Sequence, residues 1–119
     1  MCFFEFEPYV EARDNWGGEL ITEVAPNTRF VVYHEVTATV LVTESYRILG
    51  QHYDQNNVLK DYYENSFIDQ TGSHFSQGFI IDLHFDLETI EAGDYFIFKT
   101  INVCDVEAEW RVDVVDAAG

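Results

Sequence analysis

Three residues that could hold a metal stand two apart in the run Asp82-Leu83-His84-Phe85-Asp86. If that run is extended, a carboxylate, an imidazole and a second carboxylate leave one face at steps of roughly 7 Å. Such donors suit a divalent ion, but a row does not converge, and a closed tetrahedral site needs a ligand from a neighbouring strand. Asp82, His84 and Asp86 are therefore the metal candidates. The alternative is a solvated sheet face, which the same alternation produces with no ion at all. Acids near Asp14, Asp54, Asp69 and Asp105 lack the spacing that wraps calcium, and Asp or Asn in a turn already has a local hydrogen-bonding reason to be there.

Acid–base and nucleophilic chemistry find less to work with. His34 falls on the apolar side of a β-rich stretch, where a lone histidine reads as a hydrogen-bonded core residue. His52 and His74 fall in polar, turn-rich sequence and read as loop residues. A Cys–His pair would need Cys104 beside one of them, and no spacing argues for that. No phosphate loop, dinucleotide fingerprint or nucleophile elbow occurs. The expectation is a protein that is not an enzyme and has no cofactor. Cys2 and Cys104 are the two cysteines; two free thiols are the expected state, with a pairing that closes most of the chain as the alternative.

Charge narrows the partner. Twenty-two Asp and Glu oppose six Lys and Arg, a formal net charge of -16. That surface repels phosphates and anionic headgroups, so direct nucleic-acid and membrane binding are excluded from the expectation. No apolar run approaches the ~18 residues of a membrane span, and acids at Glu5 and Glu7 read against a signal peptide. Glu5, Glu7 and Glu11 line the outer side of the first strand, and Glu107, Glu109 and Asp113 that of the last. If those strands are neighbours, the rows merge into a negative stripe that invites a cationic protein. Exposed Trp and Tyr are what binding surfaces use. The binding candidates are accordingly Glu5, Glu7, Glu107, Glu109, Asp113, Trp16, Tyr62 and Tyr63. Together they describe a non-catalytic module for a basic protein partner. The alternatives are an acidic inhibitor mimicking nucleic-acid phosphates and a carbohydrate-binding domain.

The elements that must position these residues are strands. Apolar and polar residues alternate strictly at 4–12, 30–42, 79–87 and 108–114, the mark of strands with one buried face. Pro8 cannot donate to a ladder, which puts the first strand at an edge or breaks it in two there. Seven β-branched residues between Arg29 and Thr43 argue against a helix there. Shorter strands are expected at Leu20–Val24 and around Tyr46–Leu49, and turns at Asp14–Gly18 and Ala25–Thr28. In 57–67 alternation fails. Val58, Leu59, Tyr62, Tyr63 and Phe67 recur at helical spacing, which predicts a short helix, with an irregular strand as the alternative. Hydrophobic residues make up 47% and aromatics 16%, enough for one core in a single domain over 1–119.

One local pattern resembles a known family. Leu87, Ile90, the pair Gly93-Asp94 and Tyr95 at a strand start are similar to the E–F corner of immunoglobulin-like β-sandwiches. That resemblance implies that the Tyr95 hydroxyl bonds back to upstream backbone, and that Ile97 fills the place of the second antibody cysteine. The expected fold is an all-β, immunoglobulin-like antiparallel sandwich of about seven to eight strands.

Overall fold

The computed structural model describes residues 6–116. Its strands are β1 (Phe6–Arg13), β2 (Glu23–Val24), β3 (Val31–Tyr53), β4 (Leu59–Ile80), β5 (Tyr95–Ile101) and β6 (Glu107–Val114). Two single 3-10 turns, Ile81–Leu83 and Leu87–Thr89, lie between β4 and β5. All six strands join one mixed sheet in the order β1-β3-β5-β6-β2, with β4 on the other edge of β3. The all-β class holds. The sheet is mixed because β2 runs parallel to β6, whereas every other pairing is antiparallel.

β3 is the spine. Its first part pairs with β1, Val31 opposite Arg13 through Ala38 opposite Phe6. Its last part pairs on that same edge with β5, Arg47 opposite Ile101 through Tyr53 opposite Tyr95. β4 runs down the other edge. Between Thr37 and Val42 β3 advances five residues while β4 advances two, so a wide bulge separates the halves and lets the sheet curl. The inward faces of β1, β3 and β4 then close against those of β5 and β6.

Among the described residues six strands stand where seven to eight were expected, because segments read as separate are continuous. The expected strand at Tyr46–Leu49 is part of β3. The segment around 57–67 is strand, not helix: Tyr63 and Phe67 face inward, and a spacing of four satisfies period two as well as a helical turn. The hairpin turn is built by Asp54, whose Oδ1 accepts from the Asn56 and Val58 amides at 2.8 and 3.0 Å, and by Asn57 at φ 64°. Asp and Asn do this work because their short side chains mimic backbone acceptors and tolerate the left-handed region.

The alternation at 79–87 misled in the other direction. β4 ends at Ile80, the Ile81 amide returns to Phe30 O at 2.8 Å, and the chain turns away. Ile81, Phe85 and Ile90 are buried while Leu83 is 70% exposed, so what reads as a strand is a coiled cover with irregular inward steps.

Phe30, Phe96, Phe98, Ile48, Ile81, Val32 and Val112 are fully buried. The Phe30 ring meets Phe96 edge-on at 5.6 Å and Phe98 at 6.1 Å. Each buried Phe contributes about 1.5–3 kcal/mol of transfer free energy, and edge-on pairs add to it. This packing fixes the spine, and the spine fixes the outward face described next.

Candidate functional site

Period two turns Val10, Ala12, Val32, His34 and Val36 into the core and sends the residues between them outward. On that outer side Tyr9 stands opposite Glu35 and Glu11 opposite Tyr33. One strand further on, Tyr33 faces Gly78, Glu35 faces Ser76 and Thr37 faces His74. The result is a chequer of phenols and carboxylates across β1, β3 and β4. Tyr9 donates to Glu11 Oε2 at 3.1 Å and Tyr33 to Glu35 Oε2 at 3.0 Å. Arg13 Nε also donates to Glu11 Oε2, at 3.1 Å, and His74 Nε2 lies 2.9 Å from Glu35 Oε2. Burial first, and the adjacent carboxylates after it, push both phenols above the ordinary tyrosine value.

Trp16 completes this face. Asp14 Oδ1 accepts from the Asn15 and Glu19 amides at 2.8 and 2.9 Å, folding the turn back so that the indole lies over Gly78. A Cβ at residue 78 would sit 2.9 Å from the indole Cη2; glycine makes the room. Trp16 is nevertheless 55% exposed. With Glu11, Arg13, Gly17, Val31 and Tyr33 it lines a recess of about 200 Å³. A second recess, of about 380 Å³, lies where Tyr46, Phe67 and Ile68 approach Val103, with Arg47 on its rim.

Two polar networks lie inside. His34, fully buried, places Nδ1 2.9 Å from Thr100 Oγ1 and Nε2 2.7 Å from the Tyr63 hydroxyl. Thr100 donates its own proton to Tyr9 O at 2.8 Å, so Nδ1 carries the hydrogen and Nε2 accepts from Tyr63. Burial lowers the His34 pKa to about 3, which keeps the ring neutral. As expected, His34 is a satisfied core residue. The second network centres on Asp94, whose Oδ2 lies 2.8 Å from His52 Nε2, 3.1 Å from Lys60 Nζ and 3.0 Å from the Glu91 amide. Burial alone would raise the Asp94 pKa, but the Glu91 amide, His52 and Lys60 outweigh it and hold the carboxyl below its ordinary value. A carboxylate only accepts, so His52 Nε2 carries the proton. His52 Nδ1 is buried without a hydrogen-bond partner. His52 and His74, expected in loops, stand on β3 and β4.

The other candidates are dispersed. With the strand ending at Ile80, Asp82, His84 and Asp86 do not share a sheet face. Asp82 pairs with Arg29 at 2.7 Å, His84 stacks on Tyr63 at 4.4 Å, and Asp86 Oδ1 accepts from the Glu88 amide at 3.0 Å. Among the described residues no three His, Cys, Asp or Glu are grouped to hold a metal. The expected stripe does not form either, since β1 neighbours β3 while β6 lies between β5 and β2. Glu107 pairs with Lys99 at 3.4 Å, Glu109 stands opposite Lys99, and Asp113 pairs with Arg111 at 3.0 Å. Glu7 is exposed on β1, and Glu5 lies outside the described residues. Tyr62 is 58% exposed and Tyr63 is buried, so adjacent tyrosines have opposite roles.

The corner bond expected of Tyr95 is replaced by one to a side chain, Asn57 Oδ1, at 2.8 Å. The Arg111 guanidinium lies 4.1 Å above its ring. Ile97 faces away from the core, which Phe96 and Phe98 fill. Cys104 is disulfide-bonded, which corrects the expectation of free thiols; Cys2, the chain's other cysteine, lies outside the described residues. The chequered face escaped the sequence reading because it depends on register between strands. Period two can mark a residue as outward, but it does not say which residues on neighbouring strands face one another.

No family model matches the chain, and no curated protein is similar to it. Among solved structures, a β-glucosidase from Listeria innocua is similar over 95% of this chain at 13% identity, with a TM-score of 0.51. The same enzyme in complex with isofagomine matches at 13% identity with a TM-score of 0.49. The chain spans 16% of that enzyme's length, and a likeness at this identity concerns the fold alone.

Proposed function

We propose that this chain is a non-catalytic binding module whose outer β1–β3–β4 face receives a basic segment of a protein partner. The observation that carries the reading is the chequer of Tyr9, Glu11, Tyr33 and Glu35 with Trp16 laid beside it. A lysine or arginine on such a face meets carboxylates and ring faces together. A cation over an exposed ring gains about 0.5–1 kcal/mol, and more as water leaves. Trp and Tyr are also the residues that dominate binding energy when a partner covers them. The recess beside Trp16, about 200 Å³, falls short of the roughly 300–1,000 Å³ of small-molecule sites and suits a single side chain. The net charge of -16 steers a cationic partner inward and speeds encounter at low salt.

Phosphate mimicry needs one continuous row of carboxylates, and the acid rows of β1 and β6 lie on strands that do not pair; we place it second. The finer fold reading, an immunoglobulin-like sandwich, belongs to the same proposal and draws on two inward faces closing over one core. The functional test is titration of lysine-rich and glutamate-rich peptides of matched length, followed by calorimetry at low and high salt. The basic peptide should bind, weaken with salt, and lose most of its affinity with Trp16→Ala or Glu35→Gln. Equal binding of both peptides, or of neither, ends the proposal.

A further inference from the structure

The strand that borders this face has one edge in use. Among the described residues β4 pairs with β3 and with no other strand, although it runs from Leu59 to Ile80. An edge of that length is normally guarded by proline, by lysine or by bulges. Bulges interrupt β4 near Lys60 and at Asp69, which has φ 54°. His74–Ile80 differs: it pairs with Val31–Thr37 residue for residue and without a shift. It holds neither proline nor any Asp, Glu, Lys or Arg.

The direction of its backbone groups follows from one bond. The Ile81 amide reaches back to Phe30 O on the β3 side. Antiparallel strands alternate between residues that bond the neighbour and residues that do not. Phe75, Phe79 and Ile81 are thus the bonded set, and His74, Ser76, Gly78 and Ile80 turn both N–H and C=O to the open side. Gly78 O is consistent with this, because the acceptor bond it makes is a long one, 3.4 Å, from the neighbouring Gln77 side chain. His74, Ser76 and Ile80 are exposed.

We infer that the His74–Ile80 edge takes up an extended basic segment of the partner as an added strand, continuing the β1–β3–β4 sheet by one. Main-chain bonds supply affinity in this mode and alternate side chains supply specificity. The face that the added strand would extend carries Glu7, Glu11 and Glu35, countered by Arg13 and His74. Alternate side chains of the guest would lie beside His74, Ser76 and Gly78, one row from Glu35 and Tyr33 and next to Trp16. That arrangement selects lysine or arginine at every second position. A second copy of this chain is the wrong occupant, since it brings -16 to a surface of the same sign.

The inference rests on the binding reading above, and the test separates the two. The probe is an alternating lysine–valine peptide of about eight residues, a little over the usual strand length. It is compared with the same peptide N-methylated at every amide, which keeps charge and side chains but leaves neither edge an N–H to donate. Methylation should weaken binding by about tenfold or more, the loss expected from a few main-chain bonds. Ser76→Pro removes an outward amide that β3 does not use, so the fold is kept and the affinity falls similarly. Hydrogen exchange with the unmethylated peptide bound should slow at the amides of His74, Ser76, Gly78 and Ile80. Equal binding of both peptides with a Trp16 response overturns the added strand and leaves the face reading standing. Protection that maps elsewhere, or a dimer whose contacts protect this same edge without peptide, overturns it as well. No binding of either peptide ends both.

Discussion

Replacing Asp94 tests whether the turn before β5 is held by one buried oxygen. Three donors, from His52, Lys60 and Glu91, converge on Asp94 Oδ2 within 3.1 Å. Both ring and carboxylate of the His52–Asp94 pair are buried. Asp94→Ala leaves His52 Nε2–H without an acceptor beside an Nδ1 that already lacks a partner. Leaving buried donors without their charged acceptor costs about 1.5–3 kcal/mol. A chain of this length has a total stability of about 6–18 kcal/mol, so the loss is a large fraction of it. Asp94→Asn keeps an acceptor oxygen for the three donors and forfeits only the charge, for which about 1–2 kcal/mol is expected. The assay is urea unfolding at neutral pH, read from the midpoint at constant slope. Repeating it in acid fixes the sign. Asp94 has a folded pKa below its unfolded value, so its stabilisation is complete above the unfolded value, near pH 4, and is lost as pH falls through the folded one. The gap between wild type and Asp94→Asn should therefore close below about pH 4. A loss under about 1 kcal/mol for the alanine variant, or a gap that persists unchanged into strong acid, refutes the reasoning.

Three further outcomes are expected. Gly50→Ala places a Cβ 2.1 Å from Tyr63 Cε1, which must push the ring off His34; about 2–5 kcal/mol of destabilisation follows, visible in the thermal midpoint and in near-ultraviolet dichroism. Tyr63→Phe leaves the packing but orphans His34 Nε2, for about 1–3 kcal/mol by urea titration; a neutral result would contradict the buried His34–Tyr63 bond. Thiol titration of the unfolded, unreduced chain should detect no free cysteine, and two reactive groups would contradict the bonded state of Cys104.

Much of the fold was legible where alternation coincided with one buried face. The inward sets Val10–Ala12, Val32–Val36 and Val112–Val114 follow from period two alone, and Pro8 marks β1 as the edge strand that it is. Long-range partnership was not legible. That β1 and β5 share one edge of β3 depends on where β3 bends, and the bulge residues Ala38, Thr39, Val40 and Leu41 look like uninterrupted strand. Alternation also continued past the end of β4, over 81–87, because a 3-10 turn can bury Ile81 and Phe85 four apart while leaving Leu83 outside. For the site, Trp16 and Glu7 were recognised by type, whereas Tyr9, Tyr33 and Glu35 became a surface only when register set them opposite one another. Asp94 was read as a turn residue, and its pairing with His52 spans 42 residues, beyond any local pattern.

The bulge in β3 has a consequence for how the chain could vary. On one edge each half of β3 has its own partner, β1 over Val31–Ala38 and β5 over Arg47–Tyr53, while β4 follows both halves on the other edge. A residue inserted into the 39–41 segment, where Val40 and Leu41 are already exposed, lengthens a loop-like excursion without moving either ladder. The same insertion at Ile48 would carry every residue beyond it to the opposite face. Length can therefore change at the bend while the two halves keep their pairing, as at a hinge between two separately indexed rulers.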